Sequence, residues 1–366
     1  MCSQLSKNDS TSPSSYREEG LPLYSNHTYV SYEDCSYDRK SNLDNKPKQN
    51  NAVVGRFAPT PSGKLHLGNL FSFMVAYLVA RRAGGSVHMR IEDLDPARSK
   101  QFYADGVFRS LEALGFEWDN QPVYQSSRTE AYQEAYQELD RKGLLYPCFC
   151  TRADLHSANA PHFGEEVLYQ GTCRTLTKLE QEANAKRRSP ATRVAVPDEP
   201  FSFNDLFQGL QSFNLTECSG DFIIQRSDGV FAYQLAVTVD DAWMGVTSVV
   251  RGRDLLTSTP RQMYLQKCLG YETPTYGHVP LLVDSDGHRL AKRNQSTDID
   301  YLLNEKRIKP ECLLGKIAYL AGIVDEMRSF SLEELIQYAN LKALNMKKEL
   351  RIPDSFVFLN PAHKRP

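Results

Sequence analysis

Long hydrophobic runs are missing from this 366-residue chain. None approaches the roughly 18–20 apolar residues that span a bilayer. An excess of one charge is also missing: 43 Lys+Arg against 45 Asp+Glu leave a formal net charge of −2. A nucleic-acid partner is therefore not announced by bulk charge, and any such contact needs a local basic patch. Eight cysteines are too few for a disulfide scaffold at this length. In a reducing compartment they read as thiols or metal ligands. The first residues carry no apolar segment of the signal-peptide kind, so the expected location is cytoplasmic. No internal repeat is visible. What is there is ordinary for a globular protein, with 41% hydrophobic and 24% charged residues. That is ample for one large domain or two ordinary ones.

Residues 1–50 are rich in Ser, Asn, Asp and Tyr without a sustained period and read as a disordered N-terminal extension. From Ala52 the pattern becomes strand, turn, helix. A helix running to about Arg82 stops at Gly84-Gly85. Ser86–Ile91 reads as a strand, Phe102–Leu114 as a helix and Thr129–Lys142 as another. This alternation is that of an α/β protein with a parallel sheet. Residues 51–145 form its first half. The stretch 146–215 interrupts it with a cysteine cluster and a charged segment, and reads as an insertion. Residues 216–285 resume it, with strands expected at Phe222–Ile224, Phe231–Ala236 and Val246–Val250. From 286 a polar basic loop leads into helices at Cys312–Leu320 and Leu332–Leu344.

Five motifs carry chemistry. In the run from Gly55 to Asn69, backbone N–H groups at a helix N-terminus would face an anion, with His66 as an added donor. A plain turn capped by Ser62 would share part of this pattern. Arg90-Ile91-Glu92-Asp93-Leu94-Asp95 ends the second strand, where open α/β sheets bind ligands. Glu92 there can hold an ammonium group, while Asp93 and Asp95 can pair with Arg90 or cap the helix after Pro96. Cys148, Cys150 and Cys173 offer three thiolates to a tetrahedral metal, with Tyr169, His156 or His162 as the fourth ligand. Unrelated thiols would look the same. The region from Asp228 to Asp254 holds two acids, Asp240 and Asp241, and two arginines, Arg251 and Arg253, near expected strand ends, a composition suited to a charged small molecule, though a salt-bridged surface would share it. Last, Asp286 to Asn294 places a basic tetrad in a polar loop. Its Lys292 could close over a triphosphate, or the tetrad could simply be solvated.

In order and spacing these motifs resemble a class I aminoacyl-tRNA synthetase of the glutamyl type. His66-Leu67-Gly68-Asn69 is similar to the first ATP signature of that class, with Asn69 in place of its second histidine. Arg289-Leu290-Ala291-Lys292-Arg293 is similar to the second, with Arg289 and Ala291 departing from it. The resemblance covers about Val53 to Leu320. It implies a Rossmann-type catalytic core and a role for each matched residue. His66 and Lys292 act on the phosphates. Pro59, Ser62, Gly63, Gly68 and Asn69 complete the ATP site. Arg56, Phe57, Ala58, Pro59, Thr60, Glu92, Tyr233 and Arg251 bind glutamate. Only about seventy residues follow Arg293, too few for the anticodon-binding domain of a discriminating glutamyl-tRNA synthetase. With the Cys-x-Cys…Tyr-x-x-x-Cys insertion, this implies the glutamyl-queuosine tRNA(Asp) synthetase group. Such an enzyme activates L-glutamate with ATP and Mg²⁺ without tRNA, then esterifies queuosine at the wobble position of tRNA(Asp). It implies one structural Zn²⁺ on Cys148, Cys150, Tyr169 and Cys173, and a monomer without membrane contact. The alternatives are a glutamyl-tRNA synthetase charging tRNA(Glu) and a catalytically silent tRNA-binding paralogue.

Overall fold

The computed structural model describes residues 52–151, 154, 168–290 and 298–353. The expectation for residues 1–50 and those for Lys292, His156 and His162 lie outside these. The described chain runs β1 (Val54–Phe57), α1 (Leu67–Arg82), β2 (Ser86–Ile91), α2 (Gln101–Ala113), β3 (Val123–Tyr124) and α3 (Thr129–Arg141). It continues through β4 (Leu145–Cys148), α4 (Lys178–Ala185), β5 (Ala191–Val194), the hairpin β6 (Pro200–Asp205) and β7 (Gly209–Asn214), and β8 (Phe222–Gln225). There follow α5 (Tyr233–Trp243), β9 (Ser248–Gly252), α6 (Thr259–Leu269), β10 (Thr275–Val279), β11 (Leu281–Val283), α7 (Pro310–Ala321), α8 (Leu332–Tyr338) and β12 (Glu349–Arg351).

The ladders β1–β2, β2–β3 and β9–β10 are all parallel. Thr247, just before β9, joins the two groups: its N–H donates to the Val54 carbonyl and its Oγ1 accepts from the Val54 N–H, each at 2.9 Å. The strand order is therefore β3-β2-β1-β9-β10. It reverses between β1 and β9, and a crevice beyond the carboxyl ends of strands at such a switch point is where ligands bind. Helix α1 is apolar on nearly all sides because it is covered on nearly all sides: Leu67, Leu70, Phe71, Met74, Val75 and Leu78 are buried. Helix α3 instead buries one stripe, Tyr132, Ala135 and Leu139. Leu332 and Leu335 of α8 share the core of α1 and β1. No helix among the described residues is long and apolar enough to cross a membrane.

Three elements differ from the sequence expectation. Phe231–Ala236 is not a strand. The Asp228-Gly229 turn, with Gly229 at φ +85°, returns Phe231 to bridge Gln225, and α5 begins at Tyr233. Its buried Leu235, Ala236 and Val239 have helical spacing, which a six-residue apolar run cannot reveal. The expected helix Leu332–Leu344 stops at Tyr338, because Asn340 accepts from the Lys342 N–H and starts a separate 3-10 turn. Finally, β8 pairs antiparallel with β5, which pairs antiparallel with β4, so the sheet of the inserted region takes its third strand from Phe222–Gln225.

Candidate active site

At the switch point a cleft of about 610 Å³ opens beyond β1 and β9. One wall is the start of α1. His66 is the helix N-cap: its Nδ1 accepts from the Gly68 N–H at 3.1 Å, while Asn69 Oδ1 accepts from the His66 N–H at 3.2 Å. This is a reciprocal capping box, built by His and Asn rather than Ser and Glu. It gives Asn69 a task that its amide oxygen performs directly. It also sets the tautomer: with Nδ1 accepting, the proton of neutral His66 sits on Nε2. Gly68 leaves room for the imidazole, since a Cβ there would lie 3.0 Å from His66 Cε1. The cap is thus His66 and not Ser62, and the imidazole is half-buried in the cleft wall.

The floor is a buried network of opposite charges. Arg90 donates from Nη1 to Asp241 Oδ1 at 2.6 Å and from Nη2 to Glu92 Oε1 at 3.2 Å. Arg56 Nε lies 3.5 Å from the same Asp241 oxygen. Asp240 is taken by Arg128 Nε at 2.5 Å, Tyr132 OH at 2.7 Å and Gln125 Nε2 at 2.8 Å. Burial works against the Asp241 carboxylate, but Arg90 and Arg56 outweigh it and hold its pKa below the usual value. Glu92 goes the other way: burial pushes its pKa up and the two arginines only partly offset this. Burial, then Glu92, also raises the Tyr233 phenol.

Arg251, at the end of β9, differs from the other guanidiniums. Its hydrogen-bond partners are Gln262 Oε1 at 2.9 Å, Thr259 Oγ1 at 2.8 Å and His278 Nε2 at 3.0 Å. None is an anion. A buried guanidinium held by neutral acceptors and open to a cleft has the chemistry to receive an anion such as a carboxylate.

Of the residues expected here, Arg56, Ala58, Pro59, Thr60, Gly63, His66, Gly68, Asn69, Glu92, Tyr233 and Arg251 line this one cleft. Phe57 and Ser62 are not among the lining residues. Strand alternation turns Phe57 away from Arg56 and Ala58 and into the core, where its ring meets Phe73, Tyr77 and Phe116. Arg90 is not paired with Asp93 or Asp95. Asp93 accepts from Ser126, and Asp95 accepts from the Ala97 N–H and pairs with Arg226 at 3.0 Å. Arg289 lines the mouth, 3.6 Å from Asp254. Sequence reasoning missed His278, Gln262 and Thr259. A lone histidine within a strand and two polar residues at a helix start carry no signal until the fold surrounds Arg251 with them.

A second polar cluster lies in the insertion. The Sγ atoms of Cys148, Cys150 and Cys173 are all within 4.8 Å of one another, and Cys150 to Cys173 is 3.6 Å. Two thiolates on a tetrahedral zinc with bonds of about 2.3 Å sit roughly 3.8 Å apart. Tyr169 OH lies 3.6 Å from Cys148 Sγ and accepts from the Cys173 N–H at 2.8 Å. Gly220 (φ +64°) bridges Tyr169, and a Cβ there would meet the Tyr169 carbonyl at 2.2 Å. Burial works against a Cys148 thiolate, but Arg193, whose Nε donates to its Sγ at 3.2 Å, outweighs it and lowers the pKa. Burial and the neighbouring thiols push Cys150 up to about 12. Burial raises Tyr169 as well. A bound metal ion deprotonates the thiols that coordinate it. The donor set fits a metal ion.

The family described as "tRNA synthetases class I (E and Q), catalytic domain" matches residues 52–353. A glutamyl-Q tRNA(Asp) synthetase of Symbiobacterium thermophilum is 46% identical over 313 residues, covering 82% of this chain and 96% of that protein. One from Nitratidesulfovibrio vulgaris is 47% identical over 285 residues, covering 75% and 88%. The solved structure of a glutamate-tRNA synthetase from Elizabethkingia anophelis aligns with a TM-score of 0.70 at 25% identity, covering 82% of this chain and 68% of that one. With the strand order, the cleft and these relatives in agreement, the chain belongs to the class I glutamyl and glutaminyl tRNA synthetases, ligase-type enzymes, and within them to the glutamyl-Q tRNA(Asp) synthetase group.

Proposed function

We propose that the protein activates L-glutamate with ATP, without tRNA, and transfers the glutamyl group to the cyclopentenediol of queuosine in tRNA(Asp). The observation that carries the amino-acid half is Arg251: a buried cation in a cleft, with neutral partners only, beside a carboxylate that could take an ammonium. Glutamate has the complementary pair of charges. Its non-reacting carboxylate would lie on Arg251 and Arg56, its ammonium on Glu92, with Thr60 and Tyr233 completing the pocket. Glutamine would leave the arginines without their anion and be rejected. The names of the close relatives support the queuosine acceptor.

The first step needs positioning more than covalent help. The glutamate α-carboxylate attacks the α-phosphorus of ATP, forming the mixed anhydride as the bond to pyrophosphate breaks. His66 would donate from Nε2 to the phosphate as charge builds up, with the backbone of Gly68 and Asn69 at the helix start. ATP enters with Mg²⁺, which would neutralise part of the phosphate charge. Lys292 would add a further cation. In the second step a diol hydroxyl attacks the anhydride and AMP leaves. Cys148, Cys150, Cys173 and Tyr169 would hold one Zn²⁺, which cross-links the insertion when bound. The protein would work in the cytoplasm as a monomer.

The test supplies ATP and labelled glutamate, then tRNA(Asp) with and without queuosine, and tRNA(Glu). Label on queuosine-containing tRNA(Asp) alone supports the proposal. Label on tRNA(Glu) would mean a decoding enzyme, and no adenylate at all a silent paralogue. Lys292→Ala should slow glutamate-dependent ATP–pyrophosphate exchange about tenfold or more with little change in the glutamate KM. Unchanged turnover would remove Lys292 from the mechanism.

A further inference from the structure

Arg251 needs something to aim it. A guanidinium has five N–H donors and no acceptor, so whatever faces it must accept. His278 Nε2 lies 3.0 Å from Arg251 Nε and must therefore be the unprotonated ring nitrogen. The ring proton of neutral His278 is then on Nδ1, which faces Asp205 Oδ2 at 2.5 Å. Asp205 is held in turn. Its Oδ1 accepts from the backbone N–H groups of Phe207, Gln208 and His278 at 3.0, 2.9 and 3.0 Å. All three side chains are buried. The line Asp205–His278–Arg251 thus runs from the end of β6, in the inserted region, through β10 to the cleft at the end of β9.

We propose that His278 is a positioning residue for amino-acid recognition: Asp205 fixes its ring and tautomer, and its Nε2 fixes the Arg251 guanidinium in the cleft. The proposal rests on the reading of Arg251 as the carboxylate seat, and it gives the β6–β7 hairpin a part in that seat. A neutral acceptor suits the task. A carboxylate in the place of His278 would neutralise Arg251 and compete with the substrate, whereas an imidazole aims the cation and leaves its charge available. Burial, the largest influence, and the Arg251 charge push the His278 pKa down to about 4 against the pull of Asp205, which keeps the ring neutral. The other groups on it are uncharged: Tyr276 stacks at 6.3 Å, Thr259 Oγ1 lies 3.3 Å from Nε2, and the Leu255 backbone adds a small upward pull on its pKa.

Two variants divide the ring. His278→Asn can keep a donor for Asp205 and loses the acceptor for Arg251; His278→Gln can keep that acceptor. In ATP–pyrophosphate exchange, His278→Asn should raise the glutamate KM about tenfold with the ATP KM within about twofold. His278→Gln should stay within roughly threefold of the parent for both substrates. Thermal unfolding of each variant reports whether it is folded. A folded His278→Asn with an unchanged glutamate KM would overturn the proposal, as would equal losses for ATP and glutamate in both variants. Nitrogen-15 NMR of the full chain reads the ring independently of activity: the neutral Nδ1–H tautomer is expected from pH 6 to 8, and Nε2–H would overturn the proposal. Absence of exchange in the parent protein would count against the adenylation reading, and the NMR tautomer would still decide the role of His278.

Discussion

The cleft floor and the thiol cluster are both buried and polar, yet they reach charge balance in opposite ways. On the floor Arg90 and Arg56 meet Asp241 and Glu92, and Asp240 meets Arg128, so nearly every charge has its partner within the protein. Among the described residues one cation of this network, Arg251, has only neutral hydrogen-bond partners. In the insertion, three thiols and a phenol crowd together and, among the described residues, Arg193 is the cation that contacts them. Among the described residues the floor is balanced apart from Arg251, through which it would select. The thiol cluster is incomplete without a cation and would be organised by one. A preformed network suits a ligand that must come and go, whereas like donors pressed together suit an ion that stays.

The sharpest way to break this contrast is to remove the surplus charge. Arg251→Ala should lower glutamate activation by about a hundredfold or more, since a charge-assisted carboxylate contact in a desolvated site is lost. Normal exchange at low glutamate would show that the floor does not select through it. Next, elemental analysis should find one zinc per chain. Cys148→Ser or a strong chelator should lower the unfolding temperature by roughly 5 °C or more. A metal-free protein with unchanged melting would place the thiols among ordinary core residues.

Two smaller effects depend on pH. The Glu92 pKa is raised, so this group takes up a proton above the usual carboxylate range, and the proton competes with a substrate ammonium. The glutamate KM should therefore rise by several-fold as pH falls toward that range. In Glu92→Gln the dependence should vanish; its persistence would assign it elsewhere. His278 titrates near 4 when folded and at about 6.5 when unfolded. The unfolded chain thus binds the proton more readily. This contribution is full above about pH 6.5 and is lost as pH falls through 4, of order 3 kcal/mol at most. Acid titration of stability in His278→Gln should lack this component and flatten between those values.

Much of this is legible along the chain. The helix from Leu67 to Arg82 and the strand from Ser86 to Ile91 stand where periodicity and the Gly84-Gly85 stop put them. The cleft-lining residues from Arg56 to Asn69 sit on one continuous turn, so sequence order alone brings them together. The motif does not show that the Phe57 ring faces the core, because a motif names residues without their facing; in a strand every second side chain turns to the other side. The segment after Phe231 reads wrongly as a strand because a short apolar run fits a buried strand and a buried helix equally.

By itself the sequence determined the strand–turn–helix that lines the cleft and the thiols available to a metal. It also determined the acids and arginines available to an amino acid, since spacing along a turn or helix converts directly into proximity. Tertiary structure alone decided which charges cancel. Asp241 meets Arg90 from 151 positions away, and Asp205 reaches His278 across 73. Desolvation and pairing depend on neighbours in space. Only the folded sheet, reversing between β1 and β9, shows that the hydrogen-bond partners of Arg251 are neutral.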